Sequence, residues 1–262
     1  VHPSAPQGAR PVHSHPAITV VIPARYSASR LPGKPLADIG GKTMIEHVYR
    51  RASMARHVDR VLVATDDERI AEAVARFGGA VMMTRADHQS GTDRIAEVAG
   101  AIDSDVLINV QGDEPLLHPQ MIDEVAGPLI ADPGTVMSTL GQRLDPDTDS
   151  ANPNVVKVVV DLAGRALYFS RAPVPYPRNG PVPARGVFRH VGIYGYRRDF
   201  LLMLAALPRT PLEQAESLEQ LRALEHGYRI TVVETTHTSV SVDTPEDLER
   251  VRALVADGLL PS

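Results

Sequence analysis

Short apolar runs alternate with longer amphipathic ones along the first half of this chain. The run at 18–22 (ITVVI) is rich in β-branched residues and stops against Pro23, as a buried strand does. Residues 44–54 follow, with Ile45, Val48 and Ala52 at helical spacing. The same alternation predicts strands at 61–64, 80–83 and 106–110. It predicts helices at 67–77, 92–101 and 118–131, the last with Ile122, Val125 and Leu129 on one face. This rhythm implies βαβ units, an α/β class with a mostly parallel, Rossmann-like sheet flanked by helices and joined by right-handed crossovers. Such sheets bind ligands beyond the carboxyl ends of their strands. Chemistry is therefore expected just after Ile22, Ala64, Met83 and Val110.

The second half changes character. Strand-like stretches at 155–160, 166–169 and 190–196 are joined by proline-rich chain at 173–183, a pattern of hairpins suited to dimerisation or to covering a substrate. Residues 213–226 read as one helix, with Leu218, Leu221 and Leu224 or Glu225 in step, and 230–233 as a strand. The last helix is well marked: Thr244 can cap it, Pro245 takes the first helical position and Asp247 the third. With no repeat and no linker, the chain reads as one domain over 18–256, a subregion at about 150–200 set into it, and a tail at 257–262.

Composition narrows the chemistry. The chain has 262 residues, 43% hydrophobic and 23% charged, ample material for a sizeable core. A net charge of −5 without basic runs argues against nucleic acid or an anionic membrane as partner. The lack of cysteine removes disulfides, zinc thiolates, iron–sulfur clusters and thiol nucleophiles, and is compatible with a reducing cytosol. No apolar run reaches the roughly 18 residues of a membrane helix. Residues 1–17 lack the apolar centre of a signal peptide, so a flexible extension is expected, with His2, His13 and His15 in a solvated tail.

Four segments carry candidate chemistry. After the first strand, 23–36 (PARYSASRLPGKPL) sets Arg25, Arg30 and Lys34 on one loop, where Gly33 allows close backbone approach. Three cations there match a polyanion such as a triphosphate, and a solvated basic loop would read the same way. Neither a Walker A sequence nor G-x-G-x-x-G is present. Lysine is scarce, three among 27 basic residues, so Lys34 stands out as a compact ammonium among arginines. Gln111-Gly112-Asp113-Glu114-Pro115 puts a carboxylate just past a strand, where a Mg2+ ligand belongs and a plain turn would also fit. Asp243 is either a helix-entry residue or a second ligand beside Asp113. Residues 85–94 (RADHQSGTDR) run from a strand end into a helix; Ser90, Gly91 and Thr92 can offer backbone N–H groups to an anion or a base edge, make an N-cap, or do both. His88 reads as a hydrogen-bonding residue, no second histidine or acid lying at ligand spacing. A G-x-S-x-G elbow is absent.

Taken together, eight stretches resemble the 3-deoxy-manno-octulosonate cytidylyltransferases in order and spacing, over about residues 18–256. They are VVIPARYSASRLPGKPL, TRADHQSGTDRIAEV, INVQGDEP, NPNVVKVV, ALYFSRAPVP, RHVGIYGYRRDFL, LEQAESLEQLRALEHGYRI and VDTPEDLERV. The resemblance implies a nucleotidyltransferase fold with a smaller dimerising subregion, and a homodimer. It implies transfer of CMP from CTP to the anomeric hydroxyl of the sugar acid Kdo, with release of pyrophosphate, for lipopolysaccharide biosynthesis in the cytoplasm. Mg2+ would be the cofactor. Carried onto this chain, Arg25, Arg30 and Lys34 would embrace the triphosphate. Pro23, Ala24, Arg85, His88, Ser90, Gly91 and Thr92 would hold the nucleoside, and Asp113 and Asp243 would ligate the metal. Gln111, Arg171, His190, Tyr194, Glu219 and Gln220 would line the sugar site, with Arg171 on the Kdo carboxylate. Arg25, Lys34, Asp113 and Asp243 would form the catalytic group. The chain departs from the family pattern in 1–17 and in 176–185, a shortened proline-rich loop. A related acceptor such as 8-amino-Kdo or sialic acid is the alternative, and RHVGIYGY and LEQLR point to Kdo. A non-catalytic nucleotide-binding module is the reading from another class.

Overall fold

Five consecutive buried residues, Ile18 through Ile22, make the first strand the axis of the molecule. The structure is a computed structural model and describes residues 16–27, 31–88, 90–145, 148–180 and 186–258. In chain order it contains β1 (Ile18–Ala24), a small hairpin of β2 (Asp38–Ile39) and β3 (Lys42–Thr43), α1 (Met44–Ala52), β4 (Arg60–Thr65), α2 (Glu68–Arg76), β5 (Val81–Met83), α3 (Gly91–Ala101), β6 (Val106–Asn109) and α4 (Pro119–Ala131). There follow β7 (Met137–Arg143), β8 (Lys157–Val160), β9 (Ala166–Ser170), β10 (Val187–Arg197), α5 (Arg198–Ala206), α6 (Pro211–Glu216), α7 (Gln220–Glu225), β11 (Thr231–Glu234) and α8 (Pro245–Ala256).

The main sheet runs β11-β7-β10-β6-β1-β4-β5, with β8 and β9 attached as a hairpin on β10. On that path β10 alone opposes the rest: it is antiparallel to β6 and β7, while β1–β4, β1–β6, β4–β5 and β7–β11 are parallel. The mostly parallel α/β sheet expected from the sequence is therefore present. Alternate residues of β1 feed opposite faces. Ile18, Val20 and Ile22 pack with α1, α2 and α4, and Val21 packs with α3, α5 and α7. Coverage on both faces explains why the strand reads as an unbroken apolar run.

Besides the small β2–β3 hairpin, two elements escaped the hydrophobic pattern. β7 is buried from Met137 to Gly141 although it carries Ser138 and Thr139. Their hydroxyls are satisfied by backbone, Ser138 Oγ donating to the Val125 carbonyl at 2.6 Å and Thr139 Oγ1 to that of Ile193 at 2.8 Å, so polar residues sit in a central strand without penalty. α5 begins directly where β10 ends, which hides the change of period.

The single helix expected at 213–226 is corrected to two. α6 ends at Ser217, which takes a left-handed conformation at φ 52°, and α7 starts at Gln220. Arg222 explains the break: its Nη2 and Nε donate to the Glu213 carboxylate at 2.5 and 2.8 Å, with both side chains buried. In one straight helix those residues would stand roughly 13 Å apart along the axis, at 1.5 Å per residue. Burial pushes the Glu213 carboxyl up, but the bonds from Arg222 outweigh it and leave the group below its usual value.

Among the described residues no helix is long and apolar enough to cross a membrane. The flexible extension expected at 1–17 falls outside the described residues except for Pro16 and Ala17, and Ala17 is tied by its N–H to Asp105 at 2.8 Å. Arg30, the second half (181–185) of the expected 176–185 loop difference and the end of the 257–262 tail (259–262) also lie outside them.

Two stability predictions follow from close packing and from the buried pair. A Cβ on Gly195 would stand 2.8 Å from Ser138 Oγ and 3.3 Å from the Val125 carbonyl, where β10 meets α4. Gly195→Ala is expected to lower unfolding free energy by about 1–3 kcal/mol, measured by urea denaturation. Arg222→Met strands the buried Glu213 carboxylate and is expected to cost about 3–5 kcal/mol in the same assay.

Candidate active site

The loop after β1 folds on itself before it delivers a cation. Gly33 donates its N–H to the Tyr26 carbonyl at 2.9 Å, and its φ of 72° and the Tyr26 ring 3.2 Å from a hypothetical Cβ both require glycine there. Arg69 lies over the same ring, 3.3 Å from its centroid. Next in the chain, Lys34 points its ammonium at three acceptors: Asp113 Oδ2 at 2.7 Å, the Val242 carbonyl at 2.9 Å and Asp243 Oδ1 at 3.5 Å. The two aspartates that are far apart in sequence thus meet on one lysine. The Val242 N–H donates to the Asp113 carbonyl at 2.9 Å, so backbone as well as charge joins the segments.

Pro23 prepares the space. Pairing of β1 with β6 ends at Val21 while pairing with β4 continues to Ala24, so the absent N–H of Pro23 leaves no ladder bond to β6 unmade. The turn holding Asp113 fills the gap, and a Cβ on Gly112 would stand 3.0 Å from the Pro23 carbonyl. Beside it, burial and then the Asp113 charge push the Glu114 carboxyl up to about 7.

Arg25 ties the same loop to the segment after β5. Its Nη2 donates to the carbonyls of His88 at 2.7 Å and Ser90 at 3.1 Å. Ser90 caps α3 in a capping box with Asp93, and Gly91 brings that helix N-terminus against the Pro23 ring, 3.6 Å from its own hypothetical Cβ. His88 is a hydrogen-bonding residue: its Nε2 meets Glu97, and this bond leads the causes that hold the Glu97 carboxyl below its usual value. Arg85 pairs with Asp87 at 3.2 Å on an exposed groove shared with His88 and Glu97. Sequence reasoning missed Arg94, which is fully buried, hydrogen-bonds Thr84 and lies 2.9 Å from Asp66. Its signal was an arginine on the same helix face as Ile95 and Val98.

A cavity of about 190 Å³ opens between α3, β6, β10 and the α6–α7 corner. Gly91, Thr92, Gln111, Tyr194, Glu219 and Gln220 all line it, as does Asn109, which the sequence reading did not single out. Thr92 Oγ1 donates to Glu219 Oε2 at 2.6 Å, and Gln111 Nε2 donates to Asn109 Oδ1 at 3.2 Å. That bond directs the amide so that Gln111 Oε1 is left to accept. The Gln220 Nε2 donor is buried and has no hydrogen-bond partner among the described residues. Burial raises the Tyr194 and Tyr196 phenols well above their usual value, which keeps both as neutral hydroxyls.

His190 and Arg171 sit outside that lining. The His190 ring packs behind Tyr194, 5.3 Å between centroids, and burial pushes its pKa down to about 3. Its Nε2 lies 3.0 Å from Thr139 Oγ1, whose single hydrogen goes to a backbone carbonyl, so the neutral ring is the donor. Arg171 donates instead to the carbonyls of Glu216 at 2.8 Å and Pro153 at 3.1 Å. Its own carbonyl receives Lys157 Nζ at 2.5 Å, a fully buried ammonium that also reaches the carbonyls of Val155 and Asn152.

A family model described as Cytidylyltransferase matches residues 19–230. The 3-deoxy-manno-octulosonate cytidylyltransferase of Syntrophotalea carbinolica is 59% identical over 90% of this chain and 97% of its own length. That of Geobacter sulfurreducens is 56% identical over 89% and 97%. The solved structure of CMP:2-keto-3-deoxy-manno-octonic acid synthetase complexed with CTP is 48% identical, with a TM-score of 0.87 over 92% of this chain and 99% of that one. The 4-diphosphocytidyl-2C-methyl-D-erythritol synthase of Anaerococcus prevotii, 13% identical with a TM-score of 0.61, shares the fold alone. With likeness at this level over about nine-tenths of its length, the chain belongs to the 3-deoxy-manno-octulosonate cytidylyltransferase family.

Proposed function

We propose that this enzyme transfers CMP from CTP to the anomeric hydroxyl of Kdo, giving CMP-Kdo and pyrophosphate. The observation that carries the reading is the meeting of Lys34, Asp113 and Asp243 at the strand ends, beside a polar cavity, in a chain so close to relatives of that name. In the reaction the sugar oxygen bonds to the α-phosphorus, the bond to pyrophosphate breaks, and the hydroxyl proton is released.

The donor set fits Mg2+: two hard carboxylates, a share that leaves the rest of the shell to phosphates and water. Held by Asp113 and Asp243, the ion would supply charge for the phosphates and lower the pKa of a bound hydroxyl. Lys34 and Arg25 supply positive charge for the departing pyrophosphate. The N-terminus of α3, with Gly91 and Thr92, offers N–H donors at the end of β1. Gln111, Glu219 and Gln220 present an acceptor, a carboxylate and an unpaired amide donor to a polyhydroxy acid in the cavity. Arg171 would reach the sugar carboxylate by leaving its two backbone carbonyls. Exposed Leu162, Leu167 and Tyr176, on or near the β8–β9 hairpin, support a homodimer through that region. A CTP-consuming step supports a cytoplasmic setting.

Pyrophosphate release from CTP and Mg2+ tests the reading, with Kdo, sialic acid and no acceptor compared, and UTP replacing CTP as control. Release is expected only with CTP and Kdo together; release with sialic acid instead moves the acceptor, and CTP binding without release under any condition overturns catalysis. Lys34→Met is expected to lower kcat by about 10²–10³-fold. Asp113→Asn is expected to lose at least about a hundredfold at saturating Mg2+, and near-wild-type turnover would refute the metal assignment.

A further inference from the structure

The two carboxylates sit on two segments that lie outside the sheet, one following β6 and one following β11. Close to Asp113 and Asp243 the segments are joined by the Val242 N–H to Asp113 carbonyl bond. At the far end of each, His118 and His237 lie face to face, ring centroids 4.0 Å apart and planes within 4°. His118 is the N-cap of α4: its Nδ1 accepts the Gln120 N–H at 3.3 Å, which requires an unprotonated nitrogen there. His237 is held by its own N–H on Thr235 Oγ1 at 3.2 Å and by its carbonyl, which accepts from Gln142 of β7. Glu124 of α4 brings Oε1 to 3.7 Å from His237 Nε2, and its other oxygen is buried without a hydrogen-bond partner among the described residues.

We propose that His118, His237 and Glu124 form a clasp that keeps the Asp243 segment in register with the Asp113 segment, as positioning residues for the two-carboxylate site. The inference rests on the metal reading above. None of the three lines the cavity that holds Gln111, Glu219 and Gln220. The clasp bridges what the sheet does not: after Thr235, whose N–H bonds to the Gly141 carbonyl, the chain leaves the ladder of β11 and β7. A proton on His118 would remove the cap, put a cation at the positive end of α4 and face Arg51 of α1, while Glu124 is the acid that faces the pair. Burial, then His237 and Arg51, hold the His118 pKa below its usual value. His118 with a depressed folded-state pKa contributes stability above the unfolded value that fades as pH falls through the folded one. The clasp is therefore closed at neutral pH and opens in acid.

The test uses Mn2+ as a spectroscopic stand-in for Mg2+, its binding to the full chain with CTP followed by electron paramagnetic resonance, together with hydrogen exchange at the Val242 amide. His237→Ala is expected to weaken Mn2+ binding roughly tenfold and to speed Val242 exchange, with His237→Phe, which keeps a stacking ring, restoring both. Wild type is expected to lose Mn2+ affinity as pH falls below the ordinary histidine value of about 6.5, more steeply than His118→Asn, which keeps a cap that does not titrate. Comparing the two proteins at each pH cancels the titration of the nucleotide. If His237→Ala does not fold, the pH comparison decides: parallel curves overturn the clasp. Unchanged Mn2+ affinity and Val242 exchange in folded His237→Ala also overturn it, provided Asp113→Asn abolishes Mn2+ binding. If Asp113→Asn binds Mn2+ as wild type does, the metal reading falls and the clasp falls with it.

Discussion

Two carboxylates held side by side at the rim of a sheet repel one another, and this fold sets Asp113 and Asp243 together all the same. The Lys34 ammonium between them offsets that repulsion, and it sits at 14% side-chain exposure against 29% and 44% for the two acids. Partial exposure keeps desolvation small enough for an open, reloadable charge site. Beneath it lies a separate apolar cluster of Ile39, Met44, Leu116, Val242, Leu248 and Val251. Those residues come from the hairpin and the start of α1 that follow the Lys34 loop, the Asp113 turn, and the Asp243 segment with α8. Apolar burial thus holds in place three segments whose charges must meet. Asp243 is also fixed from its other side, since its N–H donates to Asp247 Oδ2 at 3.0 Å within the cap of α8.

The segments around the polar cavity are held by a second device, the buried cation. Arg94 joins α3 to the turns after β4 and β5, Arg222 joins α7 to α6, and Lys157 gathers three carbonyls from two loops. Each replaces backbone pairing where the chain has left the sheet or helix. A buried cation with matched acceptors is directional, so it can hold the α6–α7 corner that presents Glu219 and Gln220. Hydrophobic packing alone sets no such angle. The consequence is a cavity whose polar groups are already placed, with the Gln220 amide held in the lining as an unpaired donor.

Where sequence and structure part, the reason is a distant partner, except at α5, which continues straight from β10. β1 and α1 to α4 were legible because their burial follows the period of their own apolar residues. β7 was hidden because its buried hydroxyls bond to carbonyls of α4 and β10, partners no window along the chain contains. The 213–226 helix was over-read because its apolar spacing continues through Ser217, while the Glu213–Arg222 pair that breaks it is a tertiary contact. Glu97 went unnoticed beside His88 for the same reason, since a helical turn must bring it back.

By itself the sequence determined the alternation of strands and helices, the placing of Arg25, Lys34 and Asp113 after strand ends, the capping of α8 and the family resemblance. These are local properties, written in periodicity and in short runs of residues. The tertiary structure alone decided that Asp243 meets Asp113 on Lys34, that Thr92 reaches Glu219, that Arg171 rests on backbone carbonyls and that His118 stacks on His237. Each of those joins residues from separate segments. Such contacts depend on how the sheet is ordered and how its loops pack beyond it, and no spacing along the chain carries that information.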